Sequence, residues 1–193
     1  MIGIFGGSFD PPHLGHLSII QNFWEKYNSK LYIVPNYISP FKVKKGAEPK
    51  NILDMLFILI EEFSLKDIEI YEEELKRGGV SYTFQTILEF KERFPLEEIS
   101  LLIGEDNLEG LPKWKNIDLI LENAKILVYL RNGSSTAKIP DSLILYKNNI
   151  YIQENNLHPA SSSEFRKLKN ENLVSPQILE YIKLNSLYEY TSH

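Results

Sequence analysis

The run Gly6-Gly7-Ser8-Phe9-Asp10-Pro11-Pro12-His13-Leu14-Gly15-His16 follows an apolar stretch, Met1 to Phe5, and precedes an amphipathic one. It therefore marks a strand-to-helix junction, a place where nucleotides commonly bind. Glycines there let the backbone approach a ligand closely, and a helix start offers unpaired N–H groups to an anion. His13 and His16, two of the chain's four histidines, lie three residues apart on one face of the first helical turn and can both reach one phosphate cluster. An ATP-type triphosphate is the first ligand these residues suggest. The competing reading is that the two histidines only cap or pack the helix start.

The junction belongs to a βαβ unit. Ile2 to Phe5 and Leu31 to Pro35 are short apolar runs, and Leu14, Leu17, Ile20, Phe23 and Trp24 between them follow a helical period. Such a unit crosses right-handed into a parallel sheet whose ligands gather at the carboxyl ends of the strands. Further along, the pattern predicts helices over Asn51 to Phe63, Tyr82 to Phe94 and Asn116 to Glu122, and strands over Ile68 to Leu75, Ile99 to Ile103 and Lys125 to Leu130. Strands alternating with helices predict an α/β, doubly wound parallel sheet. Leu143 to Asn155 reads as a hairpin or a short added strand around Lys147-Asn148-Asn149, with no function legible in it. A small helical part closes the chain, one helix opening at Ser161 and another covering Pro176 to Leu184.

Bulk properties narrow the function. With 193 residues, 43% of them hydrophobic, one domain over residues 1–193 is expected. No run of about 18 uncharged apolar residues occurs and no basic leader precedes the first strand, so neither a membrane span nor a secretory signal is expected, and the location expected is cytoplasmic. A net charge of -5 argues against broad nucleic-acid binding. The lysines at 42, 44, 45 and 50 supply local positive charge, enough for a small anionic substrate. The absence of cysteine leaves only oxygen and histidine ligands for any metal. Whether the chain forms a homo-oligomer is left open.

The first block resembles the nucleotidyltransferase signature Gly-Gly-x-Phe-Asp-Pro-x-His-x-Gly-His at every fixed position, and so implies a Rossmann-like nucleotidyltransferase fold. The doubled glycine and histidine pair are most similar to the nicotinate-nucleotide adenylyltransferase family. Pro159 to Arg166 resembles the family's second signature, Ile-Ser-Ser-Thr-x-Ile-Arg, through Ser161, Ser162 and Arg166. Serines at a helix start and an arginine one turn on are the parts of a β,γ-phosphate cradle; a serine and Glu164 three residues later would equally make a plain capping box.

Three more blocks extend the likeness. Arg77 to Thr83 resembles Arg-x-Gly-x-Ser-Tyr-Thr, which implies that Ser81, Tyr82 and Thr83 receive a pyridine carboxylate through backbone N–H groups; a helix start is the bland alternative. Gly104 and Asp106, followed by Leu111-Pro112-Lys113-Trp114, resemble Gly-x-Asp and Leu-Pro-x-Trp. That likeness assigns Asp106 to a ribose and Trp114 to stacking on the pyridine, whereas a lone tryptophan there is more often core. Asn36 through Lys42 is similar to a family loop that brings a lysine to the phosphates, and Arg131 resembles an arginine that holds the acceptor phosphate. Phe41, Gln85 and Ala160 depart from the family pattern.

The resemblance implies adenylyl transfer from ATP, with Mg²⁺ carried by the ATP, to nicotinate mononucleotide. ATP would meet Gly6, Gly7, Ser8, Phe9, His13, Gly15 and His16 on one side and Gly104, Asp106, Ser161, Ser162 and Arg166 on the other. His13, His16, Lys42 and Arg166 are the catalytic candidates. The mononucleotide would meet Asn36, Lys42, Ser81, Tyr82, Thr83, Trp114 and Arg131. Competing readings are an adenylyltransferase for nicotinamide mononucleotide or pantetheine phosphate, a cytidylyltransferase, and a nucleotide-binding module without turnover. A class I tRNA synthetase fragment fits less well, because the acidic chain shows no anticodon-binding extension.

Overall fold

The computed structural model describes residues 1–38, 40, 46–130, 138–153 and 158–190. Among them, β1 (Ile2–Gly7), β2 (Lys30–Pro35), β3 (Ile68–Ile70), β4 (Ile99–Gly104), β5 (Lys125–Tyr129) and β6 (Ile150–Gln153) form one sheet in the order β3-β2-β1-β4-β5-β6. Every pairing in it is parallel. The helices are α1 (Leu14–Tyr27), α2 (Pro49–Glu62), α3 (Glu73–Arg77), α4 (Thr83–Arg93), α5 (Glu105–Leu108), α6 (Ile117–Asn123), α7 (Ser162–Leu168) and α8 (Pro176–Leu184).

The two-residue alternation of the strands divides the core. Phe5, Leu31, Ile33, Leu102 and Leu127 point to the face covered by α1, α2, α7 and α8, where they meet Phe23, Met55, Phe165 and Ile178. Ile4, Tyr32, Leu101, Ile126 and Val128 point the other way, onto Ile87 and Phe90 of α4 and Ile120 and Leu121 of α6. Burial on both faces is why these strands read as continuous apolar runs. It also makes the sheet a rigid base, since each such side chain stabilises by about 1.5–3 kcal/mol when removed from water.

Two expectations are corrected. The strand predicted over Ile68 to Leu75 stops at Ile70, and Glu73–Arg77 forms α3. Glutamates alternating with apolar residues imitate a strand, but Glu73 and Glu74 in the first turn and Lys76 and Arg77 in the last complement a helix dipole. Leu143 to Tyr146 is not a hairpin strand either, because Asp141–Asn149 is a 3₁₀ run that buries only Leu143 and leaves Leu145 89% exposed. Ile150–Gln153 is the added strand, paired parallel to β5. The helices opening at Ser161 and covering Pro176–Leu184 form as expected.

Candidate active site

From β1 the chain winds outward to β2 and β3, and from β4 it winds the opposite way to β5 and β6. The loops that leave β1 and β4 therefore diverge and open a crevice at their carboxyl ends, the usual ligand position in such a sheet. Gly6-Gly7 and Gly104 end these two strands. A cleft of about 450 Å³ opens there, within the size range of small-molecule sites. Its wall brings together Gly6, Gly7, Ser8, Phe9, His13 and His16 with Asn36, Ser81, Tyr82 and Thr83, and with Gly104, Asp106, Trp114, Ser161 and Ser162.

The histidines do two jobs at once. His13 is the N-cap of α1: its Nδ1 accepts the His16 backbone N–H at 3.3 Å, and His16 Nδ1 accepts the His13 N–H at 3.2 Å. The rings stack with centroids 3.6 Å apart. With each Nδ1 accepting, the proton of a neutral ring resides on Nε2, so each imidazole keeps an N–H donor on the side away from the helix backbone. Capping, the bland reading of these residues, thus orients the donors that the functional reading needs. Phe9 supports them from below, its buried ring 4.8 Å from His16 and 5.4 Å from Phe5.

The carboxyl-terminal signature meets the amino-terminal one directly. Ser162 Oγ donates to the Pro11 carbonyl at 2.9 Å, Ser161 caps α7 by accepting the Glu164 N–H at 3.1 Å, and Arg166 donates to the Asp10 carbonyl. Gly15 permits this approach, because a Cβ there would lie 3.0 Å from both the Ala160 carbonyl oxygen and the His13 ring. Gly15 itself is buried and does not line the cleft. Ala160, one of the departures from the family pattern, is buried in the core beside it.

At the opposite end of the cleft, Ser81 Oγ accepts the Tyr37 N–H at 3.2 Å, tying the residues after β2 to the start of α4. Ser8 Oγ donates to Asn36 Oδ1 at 3.4 Å, and the Asn36 N–H bonds the Gly7 carbonyl. Lys115 lies 4.3 Å above the Tyr82 ring and also lines the cleft, placing a cation beside the start of α4. Trp114 is half-buried, with one part of its ring packed on the α4–α6 core and the rest on the cleft.

Sequence reasoning missed Glu74 and Thr86, which also line this end. Glu74 is 7% exposed and accepts the Thr86 hydroxyl. Burial pushes its carboxyl above the usual range, partly countered by the Thr86 and Ser81 hydroxyls and by Arg77. Glu74 was hidden by its reading as part of a strand; a helical reading of Glu73–Arg77 would have exposed it. Arg166 stands just behind the cleft wall on Asp10, while Lys42 and Arg131 lie outside the described residues.

The fold and this cleft are those of a nucleotide-binding α/β protein, and comparison with known proteins agrees. The family model for cytidylyltransferase-like proteins matches residues 4–168, so the chain belongs to that family. It is 40% identical to a probable nicotinate-nucleotide adenylyltransferase of Leptospira interrogans, over 97% of this chain and 96% of the relative. To a probable nicotinate-nucleotide adenylyltransferase of Bacillus licheniformis it is 35% identical, over 97% and 98%. Within the family, its place is with these nicotinate-nucleotide adenylyltransferases. Plasmodium falciparum nicotinic acid mononucleotide adenylyltransferase, solved in complex with NaAD, shares the fold with a TM-score of 0.80 at 22% identity, over 100% of this chain and 98% of that one.

Proposed function

We propose that the protein transfers the adenylyl group of ATP to nicotinate mononucleotide, giving nicotinate adenine dinucleotide and pyrophosphate. The observation that carries this reading is the meeting of the His13/His16 helix start, the Ser161-Ser162 turn and Trp114 in one cleft at the β1–β4 crevice. Phosphate donors and an aromatic face for the acceptor then lie on the same wall.

An oxygen of the mononucleotide phosphate attacks the α-phosphorus in line, the new P–O bond forms as the bond to the bridging oxygen breaks, and that electron pair leaves with pyrophosphate. The nucleophile is already ionised at neutral pH, so alignment and charge neutralisation lower the barrier rather than a general base. The Nε2–H groups of His13 and His16 serve the α-phosphate and the bridging oxygen. Ser161, Ser162 and Arg166 serve the leaving pyrophosphate, with Lys42 adding charge during transfer. Trp114 stacks on the pyridine, the start of α4 receives its carboxylate, and Arg131 holds the acceptor phosphate.

Mg²⁺, arriving with ATP, would supply charge neutralisation on the triphosphate. Among the described residues no group of three or more His, Cys, Asp or Glu could hold a metal. Among the same residues no helix is long and apolar enough to cross a membrane.

Incubation with MgATP and each acceptor, followed by pyrophosphate release, tests the proposal. Nicotinate mononucleotide is expected to be the preferred acceptor. Preference for pantetheine phosphate or nicotinamide mononucleotide would reassign the acceptor, and ATP binding without pyrophosphate release would make the protein a non-catalytic module.

A further inference from the structure

Asp10 belongs to the first signature, yet its side chain does not reach the cleft. It is 3% exposed and turned toward the carboxyl-terminal part of the chain. Its Oδ2 accepts the Gly46 N–H at 2.7 Å, and its Oδ1 accepts the Ala47 N–H at 3.1 Å and the Tyr188 hydroxyl at 2.7 Å. Arg166 Nη1 lies 3.8 Å from Oδ2 while donating to the Asp10 carbonyl. These groups are packed tightly: a Cβ on Gly46 would lie 2.8 Å from the Tyr188 ring and 3.2 Å from Cδ of Arg166.

Tyr188 holds this place at some conformational cost, with φ at 54° in the left-handed region. Its ring stands edge-on to Phe165, 6.0 Å away, and its carbonyl accepts a bond from Lys169. Burial and the Asp10 carboxylate both push the phenol up, so it remains a donor throughout the working pH range. Arg166 follows Ser162 by one helical turn on the same face of α7, and Ser162 grips the Pro11 carbonyl next to Asp10 at the cleft wall. The bonded path from Tyr188 thus ends at the phosphate side of the cleft.

We propose that Tyr188, acting through Asp10, is a positioning residue for Arg166, fixing its guanidinium against the signature loop so that it meets the terminal phosphates already oriented. This rests on the reading that the cleft binds a nucleoside triphosphate. An arginine has five donors in a planar fork, and a fork held at one nitrogen loses less freedom when the others engage phosphate. A tyrosine that merely tied down the chain end would not act through Arg166.

Tyr188→Phe keeps the ring and removes only the hydroxyl. It is expected to lower kcat/KM for MgATP about fivefold, less than a whole bond to a charged group would cost, because the lost bond acts on the phosphates only through Arg166. Asp10→Asn should act in the same direction. In an Arg166→Ala background, adding Tyr188→Phe is expected to change kcat/KM by less than about twofold, because the coupled partner is gone. Equal losses in both backgrounds, or no loss in either, would overturn the proposal. A parent protein that releases no pyrophosphate from MgATP with nicotinate mononucleotide would instead overturn the functional reading.

Discussion

Two buried carboxylates flank the cleft, and they are provided for differently. Asp10, behind the phosphate side, meets two backbone N–H groups, a phenol and a guanidinium. Glu74, at the α4 side, accepts the hydroxyls of Thr86 and Ser81, while the arginine that influences it, Arg77, pairs with Glu89 at 3.1 Å. Donors around Asp10 come from segments far apart in the chain and join them. Those around Glu74 come from the next helix and the residues just before it, and leave its carboxyl raised by burial. One side of the cleft is organised by charge-assisted bonds between distant segments, the other by a local cluster that can titrate.

The largest effect that tests this contrast belongs to the phosphate side. His16→Ala is expected to lower turnover by about 10² or more, as for loss of one preorganised donor. Because His16 also accepts the His13 N–H, the same change costs about 1 kcal/mol of stability. His16→Asn retains a capping acceptor, so turnover should fall while the thermal midpoint recovers most of that loss. Unchanged turnover in both variants would remove His16 from the chemistry.

A smaller and more selective effect is expected on the acceptor side. Trp114→Ala should weaken the mononucleotide by about tenfold, the loss of one stacked aromatic contact, and leave ATP unaffected. Titration of each ligand separately reads the difference, and equal weakening of both would contradict stacking.

The mildest effect concerns Glu74. Its folded carboxyl binds a proton more tightly than the unfolded one, so its stabilising contribution is complete below the unfolded value and is lost as pH rises through the folded value. The thermal midpoint of the parent, relative to Glu74→Gln, should therefore fall as the pH is raised above the ordinary carboxylate value of 4.5. A difference that does not change with pH would mean that Glu74 titrates as an exposed carboxylate does, and the contrast with Asp10 would vanish.

What was legible beforehand follows from the range of the interactions involved. The β1–α1 junction could be read because its glycines and histidines act within a few residues of one another, and the strands because both of their faces are buried. Glu73–Arg77 was misread because a short charged helix and a half-buried strand share the same alternation, so that dipole complementarity decided between them. The bonds from Asp10 to Ala47 and Tyr188 span 37 and 178 residues. No local pattern encodes such partners. The hydroxyl pair on Glu74 is local and was hidden instead by the strand pattern of its own segment, which gave no reason to turn its carboxyl toward the start of α4.

The reciprocal capping of the two imidazoles reaches beyond the helix that it starts. Turning either ring by half a revolution about its Cβ–Cγ bond would give up a bond to the backbone and exchange nitrogen for carbon at the cleft. A correctly wound first turn therefore doubles as a rotational lock on the imidazoles, set before any substrate arrives.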